Sequence, residues 1–376
     1  MKKVSLYFFV AALSLGMFVA CDDNENTDPI DTGYGDMTDI INTYVDRTVL
    51  PTYAKMKDEA WKLYDAVIKL SEDGGLTNGN ITASCDQWRA TRVPWEQSEA
   101  FLYGPAESQN LDPLLDSWPL DQAGIDAVLK GGHYDEDALG AAVRGFHTIE
   151  YLIFDGGEPR TTAIFTDGYL EYLTVVTKVL RDDCIKLWSS WAGAGALQGK
   201  DAEAMEDIDF APKENGYAYQ FKNAGNPGSE LQSQADAIDL IVEGCMTISD
   251  EVGAQKIGGP NGLAKAGNTA QAVLEVESWY SWNSITDYAN NIESIRNSYL
   301  GGIEGNRGSS LSAYVKSQNE ALDTEILSAI ETAYSAIKNG MKSPFRSNLT
   351  GNEVDAAMNA CDELTTAFEK IKTLKK

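Results

Sequence analysis

Residues Asp137–Phe154 read DALGAAVRGFHTIEYLIF. The run predicts a buried helix. A 4-4-3-4 spacing sets Leu139, Val143, His147, Glu150 and Phe154 on one seam, the spacing of a face turned toward a partner. Two ionisable groups therefore stand where the pattern asks for Leu or Val. An unpaired buried carboxylate is costly, so Glu150 calls for an arginine, a metal or hydrogen-bond donors. His147 and Glu150 are three residues apart and can converge on one point. The spacing fits a satisfied core pair as well as it fits a functional site.

Outward from this run the pattern stays helical. Apolar periodicity predicts helices at about 37–72, 82–103, 122–130, 166–192, 230–254, 265–299, 309–339 and 351–374. Pro51 is expected to kink or divide the first, and Pro94 to interrupt the second. Residues 104–120, with Pro105, Pro113 and Pro119, read as irregular. Residues 193–229 carry Gly193, Gly195, Gly199, Pro212, Gly216, Gly225, Pro227 and Gly228, and form the best candidate for a junction. No run of alternating strand residues occurs, and any strand is expected as a small hairpin in that junction. The fold class is thus all-α: two antiparallel helical-bundle halves, 37–192 and 230–376.

Residues 1–20 form a processing segment, with Lys2 and Lys3 before the apolar run Val4–Val19. Phe18-Val19-Ala20-Cys21 resembles a lipoprotein cleavage box, with Phe in place of the usual Leu. Cleavage would leave Cys21 to carry lipid and place the protein in a bacterial cell envelope, on the outer membrane, periplasmic or cell-surface face. Residues 21–36 are acidic and aperiodic, and read as a flexible tether. Loss of residues 1–20 removes two lysines and takes the formal charge from −27 to −29. Such a chain repels phosphate backbones, which argues against nucleic acid as a partner. Cys85, Cys184, Cys245 and Cys361 are scattered without metal spacing, and each lies in a helical pattern. They are either disulfide partners or small buried hydrophobes.

Gly145-x-His147-x-x-Glu150 resembles the GxHxxE signature of the imelysin family of bacterial envelope proteins. Its members are described as insulin-cleaving metallopeptidases or as iron-regulated proteins tied to iron uptake. Two further stretches agree with it. The first, WRATRVPWEQSEAFLYGP (residues 88–105), sets Arg92, Glu96 and Glu99 on one helical face, and resembles the segment ending in Gly-Pro that precedes the family's GxHxxE helix. The second, ESWYSWNSITDYANNIESIRNSYLG (residues 277–301), carries Ser281 and Asp287 in the positions of the family's Ser-x-x-x-x-x-Asp segment. Trp282, Ile285, Ala289, Ile292 and Tyr299 form its apolar seam, and Ser281, Ser284, Asp287 and Asn291 its polar one. Pro344-Phe345 is a weaker echo.

The resemblance implies a site joining Arg92, His147, Glu150, Ser281 and Asp287 across the two halves, near their junction. As a metal site, His147, Glu150 and Asp287 would supply the ligands, with Glu96 or Glu99 in reserve. One imidazole with carboxylates suits iron or zinc. Arg92 and Ser281 would bind a small ligand, or Arg92 would pair with Glu150. His133, the other histidine, sits in a Gly-Gly-His-Tyr loop and is expected in solvent. HExxH is absent, so a peptidase would need another arrangement. Three readings follow: an envelope lipoprotein binding a metal or small ligand for iron acquisition, with envelope iron-uptake proteins as partners; a metallopeptidase using His147 and Glu150; or a structural lipoprotein whose polar junction fixes bundle packing.

Overall fold

The computed structural model describes residues 33–375 except 207 and 209. The expectations for the leader, the cleavage box and Cys21 lie outside them. Eight helices organise the rest: α1 (Leu50–Ser71), α2 (Asn78–Glu96), α3 (Gly145–Ile153), α4 (Asp167–Ala192), α5 (Gln234–Asp250), α6 (Ser284–Tyr299), α7 (Glu320–Ser335) and α8 (Asn352–Glu369). The fold is all-α. The α1, α2 and α4 helices pack together, with α3 laid against α2 and α4. Beyond residue 229, α8 packs on α5 and α7, and α6 packs on α5 and α7. Buried residues from both sides of 193–229 join in one apolar cluster.

Local chemistry explains the borders. Thr77 caps α2 by accepting a hydrogen bond from the Asn80 amide. Ile81, Cys85, Trp88 and Trp95 are buried along this helix at 4-3-7 spacing. Pro94 lies within α2 without ending it, and the helix stops at Glu96. Pro51 occupies the first turn of α1, where its missing N–H costs nothing, and a π-helical turn at Val45–Val49 leads into it. A short 3-10 turn, Glu99–Phe101, then wedges between α5 and α6. Gly244 admits this wedge, because a Cβ there would stand 2.1 Å from the Ala100 carbonyl oxygen.

Several expectations are corrected. The run Asp137–Phe154 is not one helix: 3-10 turns at Glu136–Ala138 and Ala141–Val143 precede α3. Gly145 has φ +83°, outside the helical region, so the seam through Leu139 and Val143 does not continue into His147. The run 265–299 also breaks: Thr269–Leu274 is helical, 275–283 is a turn, and α6 starts at Ser284. Ser278 and Trp282 adopt positive φ there, and Trp282, expected in the apolar seam, is 42% exposed. Within 104–120, Leu111–Asp116 is a short helix. The hairpin pairs Phe154–Asp155 with Glu158–Pro159, directly after α3 rather than in the junction. Among the described residues no helix is long and apolar enough to cross a membrane. Tyr34, expected in the tether, is buried and donates to Asp239. The four cysteines are free and buried, and His133 is exposed as expected.

Candidate functional site

The site forms where α2 crosses α6 and α3 abuts the turn at 275–283. Arg92 and Glu96, one helical turn apart, face Asp287 and Asn291 on α6. Arg92 is fully buried and ion-paired with Glu96 and Asp116, with Glu277 at 3.1 Å and with Asp287 at 3.5 Å. Asn291 donates to Glu96 at 2.5 Å, and Asn283 to Asp287 at 2.7 Å. The Phe146 ring lies 5.0 Å from the guanidinium, and its apolar surroundings strengthen these pairs.

His147 anchors the other side, with one ring nitrogen hydrogen-bonded and the other facing carboxylates. Its Nδ1 lies 3.0 Å from Glu150 Oε2. Glu150 Oε1 accepts from the Ser281 amide at 2.8 Å and the Ser281 hydroxyl at 2.7 Å. The buried carboxylate thus finds hydrogen-bond donors, one of the partner types its position required. His147 Nε2 stands 3.1 Å from Asp116 and 3.6 Å from Glu277. Asp116 is its ion-pair partner when the ring is protonated, and Glu277 stands beyond hydrogen-bond distance. The Trp118 ring packs edge-on against the imidazole at 4.6 Å.

The expected residues therefore fall into two groups, His147–Glu150–Ser281 and Arg92–Asp287. Two unforeseen carboxylates, Asp116 and Glu277, join them. The donor atoms gathered within 4.8 Å of one another belong to Asp116, His147 and Glu277, instead of to His147, Glu150 and Asp287. A second such group, Glu96, Glu99 and Asp116, shares Asp116. The signal that pointed to the missing acids was Arg92 itself, because a buried guanidinium demands counter-charge. Nothing in the sequence said which acids would supply it.

Electrostatics follow from burial and crowding. Burial disfavours a charged imidazole, but Asp116, with Glu150 and Glu277, outweighs it and holds His147 well above its ordinary pKa. Burial would raise Asp116 too, yet Arg92 and His147 pull it below the carboxylate range. Glu277 is held to about 2 against its burial by Lys256, His147 and Arg92. Burial wins at Glu96 and Glu99, both pushed well above the usual range, and raises Asp287 to about 6. Six carboxylates (Glu96, Glu99, Asp116, Glu150, Glu277, Asp287) crowd three cationic side chains, Arg92, Lys256 and His147. Carboxylates outnumber the cations even with Glu96 and Glu99 protonated, which leaves room for a further cation.

Asp116, His147 and Glu277 fit a divalent metal. Ligands about 2.1 Å from a tetrahedral zinc stand roughly 3.4 Å from each other, close to the 3.1 and 3.6 Å spacings at Nε2. Glu150 then matches the carboxylate that fixes a ligating histidine through its other nitrogen. A cavity of about 830 Å³ borders this edge, lined in part by Glu99, Asp116, Trp118, Glu251, Lys256 and Glu277.

Gly145 ties the motif to this geometry. A Cβ there would lie 2.4 Å from the Leu115 carbonyl oxygen, next to Asp116. Gly145→Ala is expected to lose about 1–3 kcal/mol from backbone strain alone, with more from displacing Leu115. Urea denaturation checks it. An unchanged midpoint would mean that the close approach is not required.

The imelysin peptidase family model matches residues 49–371. Iron-regulated protein A of Synechococcus elongatus is 28% identical over 311 residues, covering 82% of this chain and 77% of the relative. A solved structure described as an iron-regulated protein A precursor, from Parabacteroides distasonis, is 34% identical, with TM-score 0.81, covering 94% of this chain and 97% of that one. An imelysin-like protein from Psychrobacter arcticum shares the fold at 14% identity and TM-score 0.56, covering 89% and 92%. With the family model spanning most of its length, this chain belongs to the imelysin family.

Proposed function

We propose that this protein is an envelope lipoprotein that holds a transition-metal ion, iron or zinc, at Asp116, His147 and Glu277, and works in iron acquisition. The observation that carries the reading is His147 Nε2: buried and flanked by two carboxylates at 3.1 and 3.6 Å, while Glu150 fixes the opposite nitrogen. Arg92 and Asp287 balance charge beside the ligands, and Ser281 orients Glu150. The relatives' names support the link to iron. In this reading the two halves, 37–192 and 230–376, pack across the site, and lipid on Cys21 tethers them to the membrane. Envelope iron-uptake proteins would be the partners.

The test is calorimetric titration of residues 22–376 with zinc, and with ferrous iron under anaerobic conditions. One ion bound per chain is expected. No binding by the folded protein would sink the metal reading. The anchor is tested separately: Cys21→Ser is expected to move the full-length protein from the membrane to the soluble fraction. Unchanged fractionation would sink the lipid assignment.

One observation favours metallopeptidase activity as a second reading. The cavity borders the ligand edge and is also lined by Glu99, a carboxylate that burial holds toward its protonated form, as a general acid requires. A peptide-cleavage assay on the zinc-loaded protein separates carrier from enzyme.

A further inference from the structure

Among the described residues at this site, Lys256 is the basic side chain to which the metal reading gives no task. It lies in a π-helical turn, Glu251–Ile257, between α5 and the helix Gly258–Lys265. Such turns are rare in helices and recur at functional positions. Among the described residues lining the cavity it is the sole lysine or arginine, against Glu99, Asp112, Asp116, Glu251, Glu275 and Glu277.

Its ammonium converges on one carboxylate above the others. Nζ stands 3.2 and 3.5 Å from the two oxygens of Glu277, 3.6 Å from Glu99 and 4.0 Å from Glu251. Glu277 Oε1 also lies 3.6 Å from His147 Nε2 and 3.1 Å from Arg92. Glu277 is therefore claimed from both sides, by the candidate metal ligands and by Lys256. The two cations beside it differ in freedom. Arg92 is fully buried and held by several carboxylates at once, while Lys256, its side chain 11% exposed, lines the cavity on a flexible four-carbon stem.

We propose that Lys256 is a built-in counter-cation that competes with the metal for Glu277. In the metal-free protein its ammonium neutralises that carboxylate. On loading, the divalent ion takes Glu277 over and the ammonium withdraws toward Glu99 and Glu251. Two adjacent cations sharing one carboxylate repel each other in a site sheltered from water. The affinity is therefore lower than the ligand set alone would give, and loading stays reversible, as a carrier requires. A monovalent cation gains no charge advantage over the ammonium, so the device also favours divalent ions. This inference rests on the metal-binding reading above.

The test compares zinc affinity, by calorimetry with a competing chelator, in wild type, Lys256→Met and Lys256→Arg. Lys256→Met is expected to bind roughly tenfold tighter or more. Its metal-free form should melt below wild type, because Glu277, Glu99 and Glu251 lose their shared counter-charge, and zinc should raise that melting point further than it raises the wild type's. Lys256→Arg, which keeps the charge, should stay near wild-type affinity. Folded Lys256→Met binding zinc no more tightly than wild type would overturn the proposal while leaving the metal site intact. If Lys256→Met fails to fold without metal, Lys256→Gln offers a neutral hydrogen-bonding head and is judged by the same comparison. If wild type itself takes up no zinc, the metal reading fails and the inference falls with it.

Discussion

Replacing His147 by Ala, or Glu277 by Gln, is expected to abolish measurable zinc binding, a loss of roughly 100-fold or more in affinity. This should exceed the roughly 10- to 100-fold cost of disturbing a residue that merely orients a ligand. Glu150→Gln belongs to that second class, because Glu150 touches Nδ1 and is occupied by Ser281. Asp287→Asn should change affinity least of the four, since its contacts run to Arg92 and Asn283. The graded order separates this ligand set from one made of His147, Glu150 and Asp287. Equal losses at Glu150 and Asp287, with Glu277→Gln binding normally, would restore the second set. The pH dependence has a definite sign. His147 holds a proton well above its ordinary pKa in the metal-free site, and a ligating imidazole must release it. Affinity should therefore rise with pH and fade on acidification, which titration at several pH values checks.

Arg92→Met is expected to be the most destabilising single change at the site. It removes a counter-charge that Glu96, Asp116, Glu277 and Asp287 share, all with side chains at most 5% exposed. Breaking one buried pair costs about 3–5 kcal/mol, and four carboxylates lose a shared partner here, although Asp116 keeps His147 and Glu277 keeps Lys256. Arg92→Lys should recover only part of the loss, because a point charge cannot reach several carboxylates in the fork geometry of a guanidinium. The deficit should shrink as pH falls. Carboxylates whose folded-state pKa is raised contribute stability below their unfolded pKa and lose it as pH rises through the folded value; Glu96 and Asp287 are raised already with Arg92 present. Thermal unfolding across pH reads this directly. A variant as stable as wild type would show that the cluster contributes nothing to folding.

The helical class and most helix positions were legible because they depend on short-range periodicity. Spacings that bury Trp88 and Trp95, or Ile285, Ala289 and Ile292, are set by 3.6 residues per turn and need no knowledge of the partner surface. The three motifs also named five residues that the fold assembles into two linked groups. The misreadings fell where glycine and turn chemistry overrode apolar pattern. Gly145 at φ +83° cuts a seam that looks continuous, and the positive-φ turn through Ser278 and Trp282 looks like part of one long helix. That same turn brings in Glu277 and aims the Ser281 amide at Glu150.

By itself, then, the sequence determined an all-helical imelysin-family chain with His147, Glu150 and Arg92 at its centre. Tertiary structure decided which atoms each of these faces. Asp116 comes from a Pro-marked segment 31 residues before His147, and Glu277 from a turn 130 residues after it. Apolar periodicity reports which face of a helix is buried, not which distant carboxylate meets it. Pairing between charges is a property of the assembled interior, where burial makes each unmatched group costly and only the complete set of neighbours fixes the balance.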